Sequence, residues 1–255
     1  MSPVLAFGDD RSTQADVCWE WITSQRWDGW DLEIVTAEPR ADLRPGSEDA
    51  ELHPWEPETP RDPGEAGFGS VVHLHAEIDP RVALIAKDWD LVAIGPKGSG
   101  LLKRLHLGST ADWLLREPTS PLLIAHGSGP VRKVLFAADG SPHSHRTLDC
   151  LVSVPWIDGA TVHVLNVDDG QVDVEAAGQQ AEDALRGAGV QVVREHRSGR
   201  PAHEILQAID DIGPDLVAMG VRGQEGIKEL VVGSTTAAVA NSSTTSLLVA
   251  HAAEA

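Results

Sequence analysis

The chain has 255 residues, 42% hydrophobic and 23% charged, which is the balance of a folded globular protein and allows two domains of ordinary size. Its net charge of −19, shared as −11 over residues 1–127 and −8 over residues 128–255, repels phosphate backbones and anionic lipid, so neither nucleic acid nor membrane is expected as a partner. Cys18 and Cys150 lie in apolar segments, no apolar run is long enough for a membrane span, and the opening MSPVLAFGDDRS lacks a basic and apolar leader pattern, so a reducing, cytoplasmic location is expected.

In chain order, short apolar runs predict strands over 3–8, 31–37, 70–77, 90–95 and 121–126. Between the second and third of these, residues 38–66 hold six of the sixteen prolines and nine acids with no apolar period, which predicts a long acidic loop where a helix would otherwise cover the sheet. Trp19, Trp21, Trp27 and Trp30 crowd the first helical region, as core side chains or as cover for the face that the absent helix leaves open. The strand pattern then returns over 132–138, 160–166, 190–195, 215–220 and 246–251. Ser141-Pro142 supplies an N-cap and a first-turn proline for the helix that follows, and apolar spacing predicts further helices over 177–188 and 202–212 and one starting at Gly233-Ser234. Strand–helix alternation with fully apolar strands is the pattern of an α/β fold with a mostly parallel sheet.

The chain is written twice. DLVAIG at 90–95 matches DLVAMG at 215–220, SPLLIAH at 120–126 matches TSLLVAH at 245–251, and VLAFGDDRS at 4–12 resembles VLFAADGS at 134–141. Three blocks in one order place two domains at 1–127 and 131–255, with a seam at Gly127-Ser128-Gly129-Pro130.

After each DLVAxG block comes the same glycine spacing, Gly95-x2-Gly98-x9-Gly108-Ser109-Thr110 and Gly220-x2-Gly223-x9-Gly233-Ser234-Thr235. Glycines at a strand end let backbone N–H groups approach an anion, and a Gly-Ser helix start adds the positive dipole end and a hydroxyl. Turn and cap glycines would give the same spacing. Asp9 and Asp139 close the first strand of each copy, where a carboxylate can accept from a ribose hydroxyl or an amine, or can simply cap a turn. His73-Leu-His75 and His143-Ser-His145 have a metal-like spacing but no recognisable partner ligands, so no metal site is assigned, and no catalytic residue either. His126 and His251 recur at both final strand ends as packing or strand-edge residues.

The DLVAxG strand, the glycine spacing and the VLxAxD start together resemble the universal stress protein family in its tandem two-domain, ATP-binding form. The resemblance covers nearly the whole chain apart from 38–66. It implies two tandem open-sheet domains, each a five-stranded parallel sheet of order 3-2-1-4-5, whose last strands pair with each other across a two-fold axis. It also implies an adenine nucleotide, ATP or AMP with Mg carried on the phosphates, in each domain. By position, Gly220, Gly223, Gly233, Ser234 and Thr235 would hold phosphates and ribose, with Asp139 and the backbone of Val167 at the nucleoside; the first-copy counterparts are Gly95, Gly98, Gly108, Ser109, Thr110, Asp9 and Ala37. Pro96 removes a donor from the first loop, and with the absent helix this predicts a weaker, more salt-sensitive first site, despite Lys97, Lys103 and Arg104. The function implied is a nucleotide-dependent stress-response regulator with an unidentified protein partner. The two copies would form an intramolecular pseudo-dimer, and association of whole chains stays open. A slow ATPase or nucleotide-dependent transferase, or an interaction module that has lost nucleotide in one or both domains, are the alternatives.

Overall fold

The computed structural model describes residues 1–38, 51–97, 107–116, 120–170, 174–222 and 232–252. Within them the strands are β1 (Val4–Gly8), β2 (Asp31–Ala37), β3 (His53–Pro54), β4 (Val71–Ala76), β5 (Leu91–Ile94), β6 (Leu122–Ile124), β7 (Lys133–Ala137), β8 (Thr161–Asp168), β9 (Gln191–Ser198), β10 (Leu216–Gly220) and β11 (Ser246–Ala250). The helices are α1 (Thr13–Thr23), α2 (Pro80–Ala83), α3 (Ser109–Leu114), α4 (Pro142–Ser153), α5 (Val174–Gly187), α6 (Pro201–Ile212) and α7 (Ser234–Ser242).

All eleven strands form one sheet, ordered β3-β4-β2-β1-β5-β6-β11-β10-β7-β8-β9. Each half therefore repeats the order third-second-first-fourth-fifth, with β3 added antiparallel at one edge. Within each half the repeated strands run parallel, and the halves join where β6 and β11 pair antiparallel, Leu123 opposite Leu248. Central strands bury both faces: Leu5, Ala6 and Phe7 in β1 and every residue of β10 are inaccessible or nearly so. This double burial is why they read as unbroken apolar runs.

Local signals place the helices. Ser141 caps α4, its Oγ accepting from the Ser144 N–H at 3.1 Å, and Pro142 occupies the first turn. Ser12 caps α1 in the same way through Ala15. Gly213 ends α6 at φ 61°, the left-handed conformation that a Cβ disfavours.

The two sheet faces carry two apolar cores, and each runs through both halves. On one face, Trp27 is fully buried between Phe68, stacked at 5.5 Å, and the edges of Trp30 and Trp156. The second half covers the corresponding face with α5, while in the first half, among the described residues, tryptophans and the Ala66–Phe68 stretch pack there in place of a helix. The stretch 38–66 is not wholly loop: β3 lies inside it and pairs with β4, while residues 39–50 fall outside the described residues. The seam is held by Gln25, whose amide donates to the Gly129 carbonyl at 2.9 Å and accepts from the Val131 N–H at 3.0 Å. No helix among the described residues is long and apolar enough to cross a membrane.

Candidate functional site

The order of strands brings β1 beside β5 and β7 beside β10, so each first-strand aspartate stands at the same end of the sheet as a glycine-ended fourth strand. In the first half this end is an open cleft, about 580 Å³ with open solvent included, whose lining includes Gly8, Asp9, Ala37, Gly95, Lys97 and Thr110. Asp9, Ala37, Gly95 and Thr110 thus line one cleft. Gly108 caps α3 and exposed Ser109 begins it. In the second half, half-buried Asp139 follows β7, Val167 sits near the end of β8, Gly220 ends β10, and Gly233, Ser234 and Thr235 open α7. Gly98 and Gly223 lie outside the described residues.

Local hydrogen bonds set this frame. Thr236 Oγ1 donates to the Gly220 carbonyl at 2.9 Å, fixing α7 to the end of β10. Ser141 donates its N–H to Asp139 at 2.9 Å and its hydroxyl to the Arg222 carbonyl at 3.2 Å, drawing the start of α4 against the second glycine loop.

Several sequence expectations change here. Gly95 and Gly220 are not bare for a ligand's sake alone: a Cβ would meet the Gln14 carbonyl oxygen at 2.5 Å in the first case and the Ser144 nitrogen at 2.7 Å in the second. Close helix–strand packing requires both glycines. The loops also spend donors internally, Gly108 N–H on the Pro96 carbonyl at 2.7 Å and Gly233 N–H on the Val221 carbonyl at 3.0 Å. Asp9 departs furthest from its expected role as a nucleoside acceptor. Its carboxylate is buried and receives Arg61 Nε and Nη2 at 3.0 and 2.9 Å and the Arg11 N–H at 3.0 Å.

The histidines take packing and hydrogen-bonding roles. His73 Nε2 accepts from the Arg61 N–H at 3.2 Å, and burial, then the Arg11 charge, lowers its pKa. His143 Nδ1 accepts from the Ala252 N–H at 2.8 Å and packs edge-on against His251. His251 Nε2 reaches the Leu115 carbonyl of the other half at 3.0 Å, and burial pulls its pKa down to about 4. No group of three or more His, Cys, Asp or Glu among the described residues is placed to hold a metal ion. Both cysteines are buried thiols, and burial pushes Cys150 up to about 12, which leaves it unreactive as a nucleophile.

The family model described as the universal stress protein family matches residues 130–251. Residues 130–251 belong to the universal stress protein family. A universal stress protein of Synechocystis sp. is 30% identical over 156 residues, 60% of this chain and 54% of its own length, so the chain spans about half of that relative. A universal stress protein of Bacillus subtilis is 29% identical over 143 residues, which is 97% of its own length but 46% of this chain. Among solved structures, a universal stress protein from Archaeoglobus fulgidus superposes with a TM-score of 0.70 over 99% of this chain and 100% of its own, at 19% identity, which establishes the shared fold. At these strand ends, sequence reasoning located the glycines and aspartates and missed Arg61. Arg61 lies in the proline-rich acidic stretch, where no periodicity ties a residue to a sheet. The only available signal was a cation bracketed by Pro60, Asp62 and Pro63.

Proposed function

We propose that the chain is a nucleotide-dependent regulatory protein that binds an adenine nucleotide, ATP or AMP, at the strand ends of its second half, residues 131–255. The supporting observation is the convergence, in each of two repeats, of an aspartate, a glycine-ended strand and a Gly-Ser-Thr helix start at one end of the sheet. In the first repeat this frame borders an open cleft to which Asp9, Gly95 and Thr110 all contribute. In the second, the backbone of Gly220, Gly223 and Gly233 with Ser234 and Thr235 would hold the phosphates, and Asp139 and Val167 the nucleoside. Mg would arrive on the phosphates. In a chain of net charge −19, an anion is held by concentrated backbone donors and a helix start rather than by the general field.

Gly233→Val tests this reading. The added side chain fills the space that the phosphates need at the start of α7, and ATP binding measured by calorimetry should be lost while the circular dichroism spectrum stays. Ser234→Ala should cost about 1 kcal/mol, the loss of one donor among several. Full-strength ATP binding by Gly233→Val would rule out the assignment.

A further inference from the structure

The carboxylate that should greet a nucleoside in the first cleft is already engaged by the chain itself. Asp9 is buried with none of its side chain exposed, and Arg61 meets it with a two-pronged contact, Nε to Oδ2 at 3.0 Å and Nη2 to Oδ1 at 2.9 Å. That fork-on-carboxylate geometry is the strongest form of the pair, because both bonds carry charge and hold the guanidinium in plane. The third nitrogen, Nη1, lies 2.8 Å from Asp16 of α1, so all three nitrogens of the guanidinium are committed. The rings of Phe7 and Trp19 lie within 6 Å of its central carbon, at 5.9 and 5.8 Å, and only 14% of the side chain is exposed. Arg11 completes the enclosure, with its N–H and its Nε on Asp9 at 3.0 and 3.2 Å and its Nη1 on the Thr59 carbonyl at 2.9 Å.

The backbone holds the arginine where it is. Its own N–H donates to His73 of β4, and Trp55 N–H donates to the His73 carbonyl, so the stretch carrying Arg61 is stitched to the sheet edge. In the second half, β8 and β9 are joined through helix α5 instead of a stretch of this kind.

Resting on the nucleotide reading above, we propose that Arg61 is the specificity-determining residue of the first cleft. It occupies Asp9 in place of a nucleoside, so the cleft rejects adenine nucleotides that the second half accepts. A nucleotide seeking Asp9 would have to break a buried, two-pronged ion pair, a far larger obstacle than the loss of one backbone donor at Pro96. The consequence is a chain with two candidate sites and one nucleotide.

Calorimetric titration of the full chain with ATP tests this. The wild type should take up one equivalent, because Arg61 holds the Asp9 carboxylate. Arg61→Ala should add a second equivalent and should restore binding to a chain whose second site is silenced by Gly233→Val. Since Arg61→Ala leaves a buried carboxylate without its main partner, Arg61→Lys serves beside it: the charge stays, the fork is lost, and a second equivalent at least about tenfold weaker than the first should appear. Two equivalents in the wild type would overturn the proposal, as would folded Arg61 variants that still take up one. Absence of ATP binding in the wild type and in every variant would contradict the nucleotide reading itself.

Discussion

His251 gives the sharpest consequence at the scale of one residue. It is buried at the end of β11, bonded to the Leu115 carbonyl, and burial depresses its pKa to about 4. An unfolded histidine titrates near 6.5. Because the folded value lies below the unfolded one, the unfolded chain takes up the proton first as pH falls, and stability is lost between about pH 6.5 and 4. The full loss from this one group is about 3 kcal/mol at the bottom of the window. The His143 pKa is lowered in the same direction, by burial and then by the Arg222 charge, so it steepens the same slope. Urea unfolding across this pH range should show a smaller loss in His251→Gln than in the wild type; parallel curves would mean that the imidazole is not held neutral by its burial. The residues that the sequence spacing singled out divide at this scale too. Glycine at 95 and 220 was legible as a requirement, but its packing against Gln14 and Ser144 was not, since the helix that approaches lies some eighty residues away in the chain.

At the scale of elements, strands were legible because their burial is two-sided: β10 is buried at every position, and nothing but an unbroken apolar run meets that demand. Helix α4 was legible from its cap and first-turn proline. What escaped was the part of the first half with no repeating period. Strand β3 is two residues long, and α2 is a single turn started by Asp79 and Pro80, too short for either period to register. The tryptophans of the first helical region were legible as a cluster, and the structure assigns them to the face that α5 covers in the second half. Trp27→Ala should therefore cost about 3–5 kcal/mol, the price of emptying a fully buried indole site. Because Trp156 of the second half packs on Trp27, the loss should appear in a single denaturation transition of the whole chain. A cost below about 1 kcal/mol would mean that the face is not closed by these rings.

At the scale of the whole molecule, duplication and pairing decide the design. The matched blocks told of two copies, and the structure joins them into one eleven-stranded sheet through β6 and β11, with both apolar cores crossing the junction. Two sets of strand-end residues then lie on one sheet, built from copies that have diverged. In one copy an arginine from the connection between the second and third of the repeated strands holds the aspartate; in the other that connection is α5. Such divergence is invisible in the repeated blocks themselves, because Asp9 and Asp139 occupy matching positions and differ only in what the rest of the chain brings to them. The most direct measurement is a crystal structure of the chain grown with ATP and Mg. The account predicts one nucleotide per chain, with its phosphates at the start of α7 and its nucleoside beside Asp139 and Val167, and Arg61 still closed on Asp9. A nucleotide seated in the first cleft against Asp9, with Arg61 displaced, would contradict it.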